Sequence, residues 1–248
     1  MSGGIIDRRS PNHNERPADA AIDILLLHYT GMPTGAGALD RLCDPAAKVS
    51  AHYLIDEDGA AYALVDEDRR AWHAGVSYWR GERDINGRSV GIELVNPGHE
   101  FGYRPFPEPQ MRTLIGLCQD ILARHAIPAA RVLGHSDVAP GRKEDPGELF
   151  DWPRLAAEGI GLWPSEGMSV SARRTLAPGA DGRAVQELRR ALAAFGYDAA
   201  GDRAYDSGLI AIVEAFQRHW RPTSVDGVAD GETQTILHHL LDRVGDAA

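Results

Sequence analysis

The chain has 248 residues, 43% hydrophobic and 25% charged, which suits one large domain or a medium domain with a small one in a soluble globular protein. A formal net charge of −10 argues against a polyanion-binding surface, so nucleic acid is not an expected partner. The longest apolar run, Ile24 to Leu27, is far too short for membrane insertion, and the opening residues MSGGIIDRRSPNHNERPADA carry no apolar stretch behind a basic one. A cytoplasmic location is therefore expected, with a periplasmic one as the alternative. Cys43 and Cys118 lie in apolar surroundings without a CxxC spacing and are expected to be buried reduced thiols.

In chain order, AIDILLLHYT reads as a buried strand ending in polar residues. AHYLIDEDGAAYALVD is two alternating runs around Asp58 and Gly59, a hairpin. SVGIELVN is a further strand. EPQMRTLIGLCQDILARH sets Met111, Leu114, Ile115, Cys118, Ile121 and Leu122 at helical spacing. RVLGH is a short strand that delivers His135 at its end, and Asp151 with Pro153 starts a short helix in DWPRLAAEG. Strands mixed with helices predict an α/β fold with a mixed central β-sheet flanked by helices.

From about Ser165 to Pro178 this pattern lapses, as in a linker. Three amphipathic stretches follow. Val185, Leu188, Leu192 and Phe195 share one face, closed by Gly196; Leu209, Ile212, Val213, Phe216 and Trp220 share a second. Ile236, Leu237, Leu240, Leu241 and Val244 share a third, with Asp230 as N-cap. The expected organisation is a first domain over 1–165, a linker over 166–178 and a small three-helix domain over 179–248, able to fold alone.

The chemistry gathers at strand ends. His28 ends one strand, His135 ends another, and Asp145 follows on a loop, GHSDVAPGRKEDPG, whose prolines and glycines forbid a continuous helix. Two neutral imidazoles and a carboxylate suit a catalytic zinc with one position left for water. The blander alternative is two unrelated histidines, on the surface or satisfied in the core. Glu93 sits inside an apolar strand, where a carboxylate is costly unless paired or facing a cleft. It is either a residue turned to solvent or a general base. Lys143 is either a solvated cation or a group that stabilises a developing oxyanion.

LLLHYT, SAHYLIDEDG, AWHAG, SVGIELVNPG and GHSDVAPGRKEDPGELFDW, in this order over about residues 20 to 163, resemble the zinc-dependent N-acetylmuramoyl-L-alanine amidases of the AmpD/AmiD type. The resemblance implies a mixed sheet flanked by helices, as in the peptidoglycan recognition proteins. It implies zinc on His28, His135 and Asp145, with Glu93 and Lys143 catalytic. It also brings in substrate-binding candidates: His52, Trp72, Asn96 and Arg142. His52 is otherwise structural, and Trp72 otherwise fills the core. His13, His99, His125, His219, His238 and His239 are expected to do nothing specific.

VQELRRALAAFGYDAAGDRAYDSGLIAIVEAFQRHW and VDGVADGETQTILHHLL resemble the three-helix peptidoglycan-binding domain, although DSGLIAIVEAF departs from that family's T-x-x-A-V pattern. A structural or dimerising role is the alternative for this unit. The implied partners are peptidoglycan fragments, anhydromuropeptides among them, or polymeric peptidoglycan. The competing readings of the whole are a non-catalytic muropeptide-recognition protein and a zinc hydrolase of another amide.

Overall fold

The computed structural model describes residues 4–165 and 167–245. Positions 1–3, 166 and 246–248, which the sequence assigns to the first domain, the linker and the last domain, lie outside the described residues. Strands β1 (Ile6–Asp7), β2 (His13–Glu15), β3 (Ile24–Tyr29), β4 (Tyr53–Ile55), β5 (Ala61–Ala63), β6 (Arg69–Ala71), β7 (Ser89–Leu94) and β8 (Val132–Gly134) are interspersed with helices. Those helices are α1 (Gly35–Cys43), α2 (Ile85–Arg88), α3 (Gly98–Phe101), α4 (Glu108–Arg124), α5 (His135–Val138) and α6 (Trp152–Ala157). Helices α7 (Arg183–Phe195), α8 (Ser207–Trp220) and α9 (Gly231–Gly245) complete the chain.

Six strands form one mixed sheet in the order β1-β5-β4-β7-β3-β8, and β2 pairs with β6 in a separate antiparallel ribbon. The hairpin around Asp58 and Gly59 is β4 and β5. β4, β7, β3 and β8 run parallel to one another, so the central strands β7 and β3 are largely apolar on both faces rather than alternating. Helix caps fall where short polar side chains precede apolar runs. Asp151, Asp206 and Asp230 each accept a hydrogen bond from a backbone N–H of the first turn.

The two faces of the sheet have different covers. Leu25, Leu27, Val90, Ile92 and Leu94 share a core with Met111, Leu114, Cys118 and Ile121 of α4. On the opposite face, Leu54 packs with Ala38 and Leu42 of α1. Ile24, Leu26 and Leu133, also on that face, join Trp79, Leu188, Phe195, Phe216 and Trp220 in a single apolar cluster. The helical unit is therefore one of the layers flanking the sheet.

This changes the expectation of a three-helix unit that stands alone behind a linker. Trp79 is fully buried, edge-on to Phe195 and Tyr197 at centroid distances of 6.0 and 5.0 Å. Gly196 lies so close to this indole that an added Cβ would come within 2.5 Å of it, so a glycine is needed there for more than the helix stop. The Arg80 N–H donates to the Gly196 carbonyl at 2.8 Å, and its Nε donates to the Phe195 carbonyl at 3.0 Å. Leu176, inside the expected linker, is buried and bridges to Ala229. Cys118 is a buried free thiol as expected; Cys43 is free but only half-buried.

A shared core has a thermodynamic consequence. Trp79→Ala is expected to cost about 3–5 kcal/mol, and the wild-type chain to unfold in one calorimetric transition. Two separated transitions would show that the units are stable independently.

Candidate metal centre and active site

His28 is the fifth residue of β3, at the end of a continuous apolar run, and Glu93 is its register partner on β7. His135 begins α5, directly after β8. The loop then returns, and the Ser136 N–H donates to the Asp145 carbonyl at 2.9 Å. Gly134 permits this close return, since a Cβ there would lie 2.7 Å from Pro146 Cδ. His28 Nδ1, His135 Nδ1 and Asp145 Oδ2 end on a triangle with all three sides 3.0 Å, and all three residues are buried.

Hydrogen bonds behind the rings fix their protons. The Ser89 hydroxyl spends its proton on the Ile85 carbonyl at 2.7 Å, so its oxygen accepts from His73 Nε2–H at 3.3 Å. His73 Nδ1 is then bare and accepts from His28 Nε2–H at 3.0 Å. His135 Nε2–H donates to the Ala74 carbonyl at 2.9 Å. Both Nδ1 atoms are left as lone pairs. Burial, then the His135 ring, push the His28 pKa down to about 4, so the ring is neutral near pH 7. Two imidazole lone pairs and a carboxylate oxygen thus face one point with no proton among them. Only a cation satisfies that arrangement. A tetrahedral centre with bonds of about 2.0–2.1 Å keeps its donors roughly 3.3 Å apart, close to the spacing here. Among the described residues this is the group of histidine and acidic side chains able to hold a metal ion.

Glu93 and Lys143 face the same cleft, a cavity of about 430 Å³ also lined by Trp72, His73, His99 and Arg142. Glu93 is partly buried, and its Oε2 is sealed from solvent with no hydrogen-bond partner among the described residues. Burial, then the charge of Asp145, raise its pKa well above the ordinary carboxylate range, with Lys143 acting the other way. A carboxyl in that state can both take and return a proton.

The substrate-binding candidates divide. Trp72 and Arg142 line the cleft. Arg142 is largely committed to holding the wall, since its guanidinium donates to the carbonyls of Ala74 and Val76. His52 and Asn96 do not fit the role, because both are fully buried and their side chains are hydrogen-bonded to the backbone. His52 Nδ1 accepts from the Gly91 N–H at 2.9 Å, and its Nε2–H donates to the Arg69 carbonyl at 3.1 Å. The Asn96 amide donates to the Arg104 carbonyl at 2.7 Å, and its oxygen accepts from the Gly98 N–H at 3.1 Å. Several histidines expected to do nothing have partners, among them His125, which contacts Glu67 away from the cleft. His99 lines the cleft and contacts Tyr29 and Glu148, and His219 is buried against Asp137.

Sequence reasoning also missed His73 as the acceptor that sets the His28 tautomer. The available signal was Gly91, the glycine inside strand β7. A Cβ there would lie 2.6 Å from the His73 ring, so the strand gives way to let the ring reach His28. His73→Phe keeps a ring over Gly91 and removes the acceptor. It is expected to weaken divalent-metal affinity roughly 10- to 100-fold, read by competition with a chromogenic chelator. Unchanged affinity would mean that something else sets the tautomer.

Comparison with known proteins agrees with the geometry. The N-acetylmuramoyl-L-alanine amidase family profile matches residues 18–148, and a peptidoglycan binding domain profile matches residues 181–237. The chain is 38% identical to the N-acetylmuramoyl-L-alanine amidase AmiD of Escherichia coli, over 98% of this chain and 92% of that protein. The E. coli AmiD structure with its substrate, anhydro-N-acetylmuramic acid-L-Ala-D-gamma-Glu-L-Lys, superposes with a TM-score of 0.79 over 93% of both chains at 38% identity. Pseudomonas aeruginosa AMPDH3 in complex with anhydromuramic pentapeptide superposes with a TM-score of 0.78 at 29% identity, covering 98% of this chain and 99% of that one. The mixed sheet, the proton-free donor triad and these likenesses lead to one conclusion: the chain belongs to the N-acetylmuramoyl-L-alanine amidase family, with a C-terminal peptidoglycan-binding unit.

Proposed function

We propose that the chain is a zinc amidase that hydrolyses the amide between the lactyl group of N-acetylmuramic acid, or its 1,6-anhydro form, and L-alanine of the stem peptide. The observation that carries this reading is the triangle of unprotonated donors facing a cleft that also holds an unpartnered carboxylate. His28, His135 and Asp145 are the ligands. Two imidazoles and one carboxylate, with a side open to the cleft, are a donor set of catalytic zinc. When bound, zinc supplies a Lewis acid that polarises a carbonyl and lowers the pKa of water from about 15.7 toward 7.

This chain's own residues supply the remainder. Glu93 accepts the proton of the attacking water as its oxygen closes on the lactyl carbonyl carbon. The Lys143 ammonium, on the wall of the same cleft, stabilises the oxyanion of the tetrahedral intermediate. Glu93, with its raised pKa, then delivers the proton to the nitrogen of L-alanine, and the amide C–N bond breaks. The products are a muramyl carboxylate and a free stem peptide. Trp72 and Arg142 flank the cleft on which the sugar and peptide lie. The anhydromuropeptides bound by the AmiD and AMPDH3 relatives support a soluble fragment as substrate. The helical unit supports polymeric peptidoglycan as a second one.

The test is digestion of anhydromuropeptide and of intact sacculi, with products identified by mass spectrometry and metal measured on the same sample. Release of an L-alanine-led peptide, stopped by a chelator and restored by zinc, is expected. A cut within the stem peptide, or binding without any cut, would overturn the reading. Glu93→Gln is expected to retain zinc and lose roughly 10²- to 10⁴-fold in kcat; full turnover would remove Glu93 as the base. Lys143→Met is expected to lose about 10²- to 10³-fold in kcat, with zinc retained.

A further inference from the structure

Asp137 is a fully buried carboxylate two residues beyond the ligand His135. A buried charge is costly unless its oxygens are satisfied. Its Oδ2 accepts from the Gly134 N–H at 2.8 Å, which fixes the turn from β8 into α5. The other two donors come from the helical unit. Tyr197 O–H donates to Oδ1 at 2.8 Å, and His219 Nδ1–H donates to Oδ2 at 2.7 Å.

His219 is itself held. Its ring is stacked between Trp152 of α6, at 3.6 Å and 18°, and Trp220, at 3.7 Å and 4°. Next to it on α8, the Arg218 guanidinium lies 3.6 Å from both Glu144 and Glu148. These two acids enclose Asp145 in sequence, and Glu144 follows Lys143. Midway between the two grips, Gly141 is so close to Ala211 that a Cβ there would come within 3.1 Å of it. Helix α8 thus backs the whole loop that carries His135, Lys143 and Asp145. Apolar contacts alone would dock this helix. Directional bonds to a buried carboxylate fix its orientation as well.

We propose that the helical unit, through Tyr197 and His219 on Asp137, positions the metal-binding turn of the amidase site, besides any contact it makes with glycan. Tyr197, His219 and Asp137 are positioning residues: none of them lines the cleft or belongs to the donor triad. The inference rests on the metal-amidase reading above.

The test uses full-length chains titrated with zinc against a chromogenic chelator and assayed on anhydromuropeptide. Tyr197→Phe and His219→Leu are each expected to weaken zinc roughly tenfold or more and to lower kcat by a similar factor with KM nearly unchanged. His219→Asn, whose amide N–H can stand in for Nδ1–H, is expected to restore most of both. Leu240→Ala perturbs the core of the helical unit from α9, which among the described residues makes no hydrogen bond to the catalytic loop. It is expected to lower the melting temperature and leave zinc affinity and kcat unchanged. Wild-type zinc affinity and kcat in Tyr197→Phe and His219→Leu overturn the inference, and so does an equal loss in Leu240→Ala. If His219→Leu does not fold, Tyr197→Phe, which removes one hydroxyl, decides. A wild-type chain that binds no zinc overturns the metal reading itself, and this inference with it.

Discussion

Two imidazole nitrogens and a carboxylate oxygen, stripped of protons and held 3.0 Å apart in a buried corner, set the terms for the rest of this structure. Lone pairs at that spacing repel unless a cation lies among them. The fold must hold them against that repulsion and keep the protons on the far side of each ring. It does so with hydrogen bonds from behind: Ile85 to Ser89 to His73 to His28 on one side, and Ala74 to His135 on the other. Each link leaves one proton position, so the tautomers follow from backbone carbonyls fixed in secondary structure.

The sheet makes the convergence possible. β7, β3 and β8 are adjacent and parallel, so their carboxyl ends gather at one edge, where loops of high chemical variety begin. Register places Glu93 beside His28, and the turn after β8 brings His135 to the same point. The side chains reach a face whose apolar cover is divided between α1 and the helical unit. The cleft opens on this face, while the opposite face is sealed by α4.

The helical unit consequently has two relations to the reaction. Its likeness to peptidoglycan-binding domains concerns what it meets outside. Its core, continuous with that under the sheet through Trp79, Phe195 and Tyr197, concerns what it holds inside. A tethered binding module could move freely relative to its enzyme. An integrated one is held in a fixed frame, with Tyr197 and His219 hydrogen-bonded to the buried Asp137 beside the catalytic loop.

Much of this was legible in the linear sequence. The buried strand ending in His28, the hairpin at Asp58 and Gly59, the α4 periodicity and the three C-terminal amphipathic stretches all follow from local pattern, because an apolar face must be buried whatever lies above it. The motif order was enough to assemble His28, Glu93, His135, Lys143 and Asp145 as one site. Tertiary structure alone decided the others. His52 and Asn96 carry polar groups that a sequence leaves available, but backbone partners take them up, remote in the chain for His52 and on the following loop for Asn96. The partners of His73 and His219 are not legible in sequence because they lie far along the chain, 45 residues for His73 with His28 and 82 for His219 with Asp137. Local pattern determines which residues must be buried. Which buried polar groups meet, and so which proton sits where, is decided only when the sheet and the helical unit close on each other.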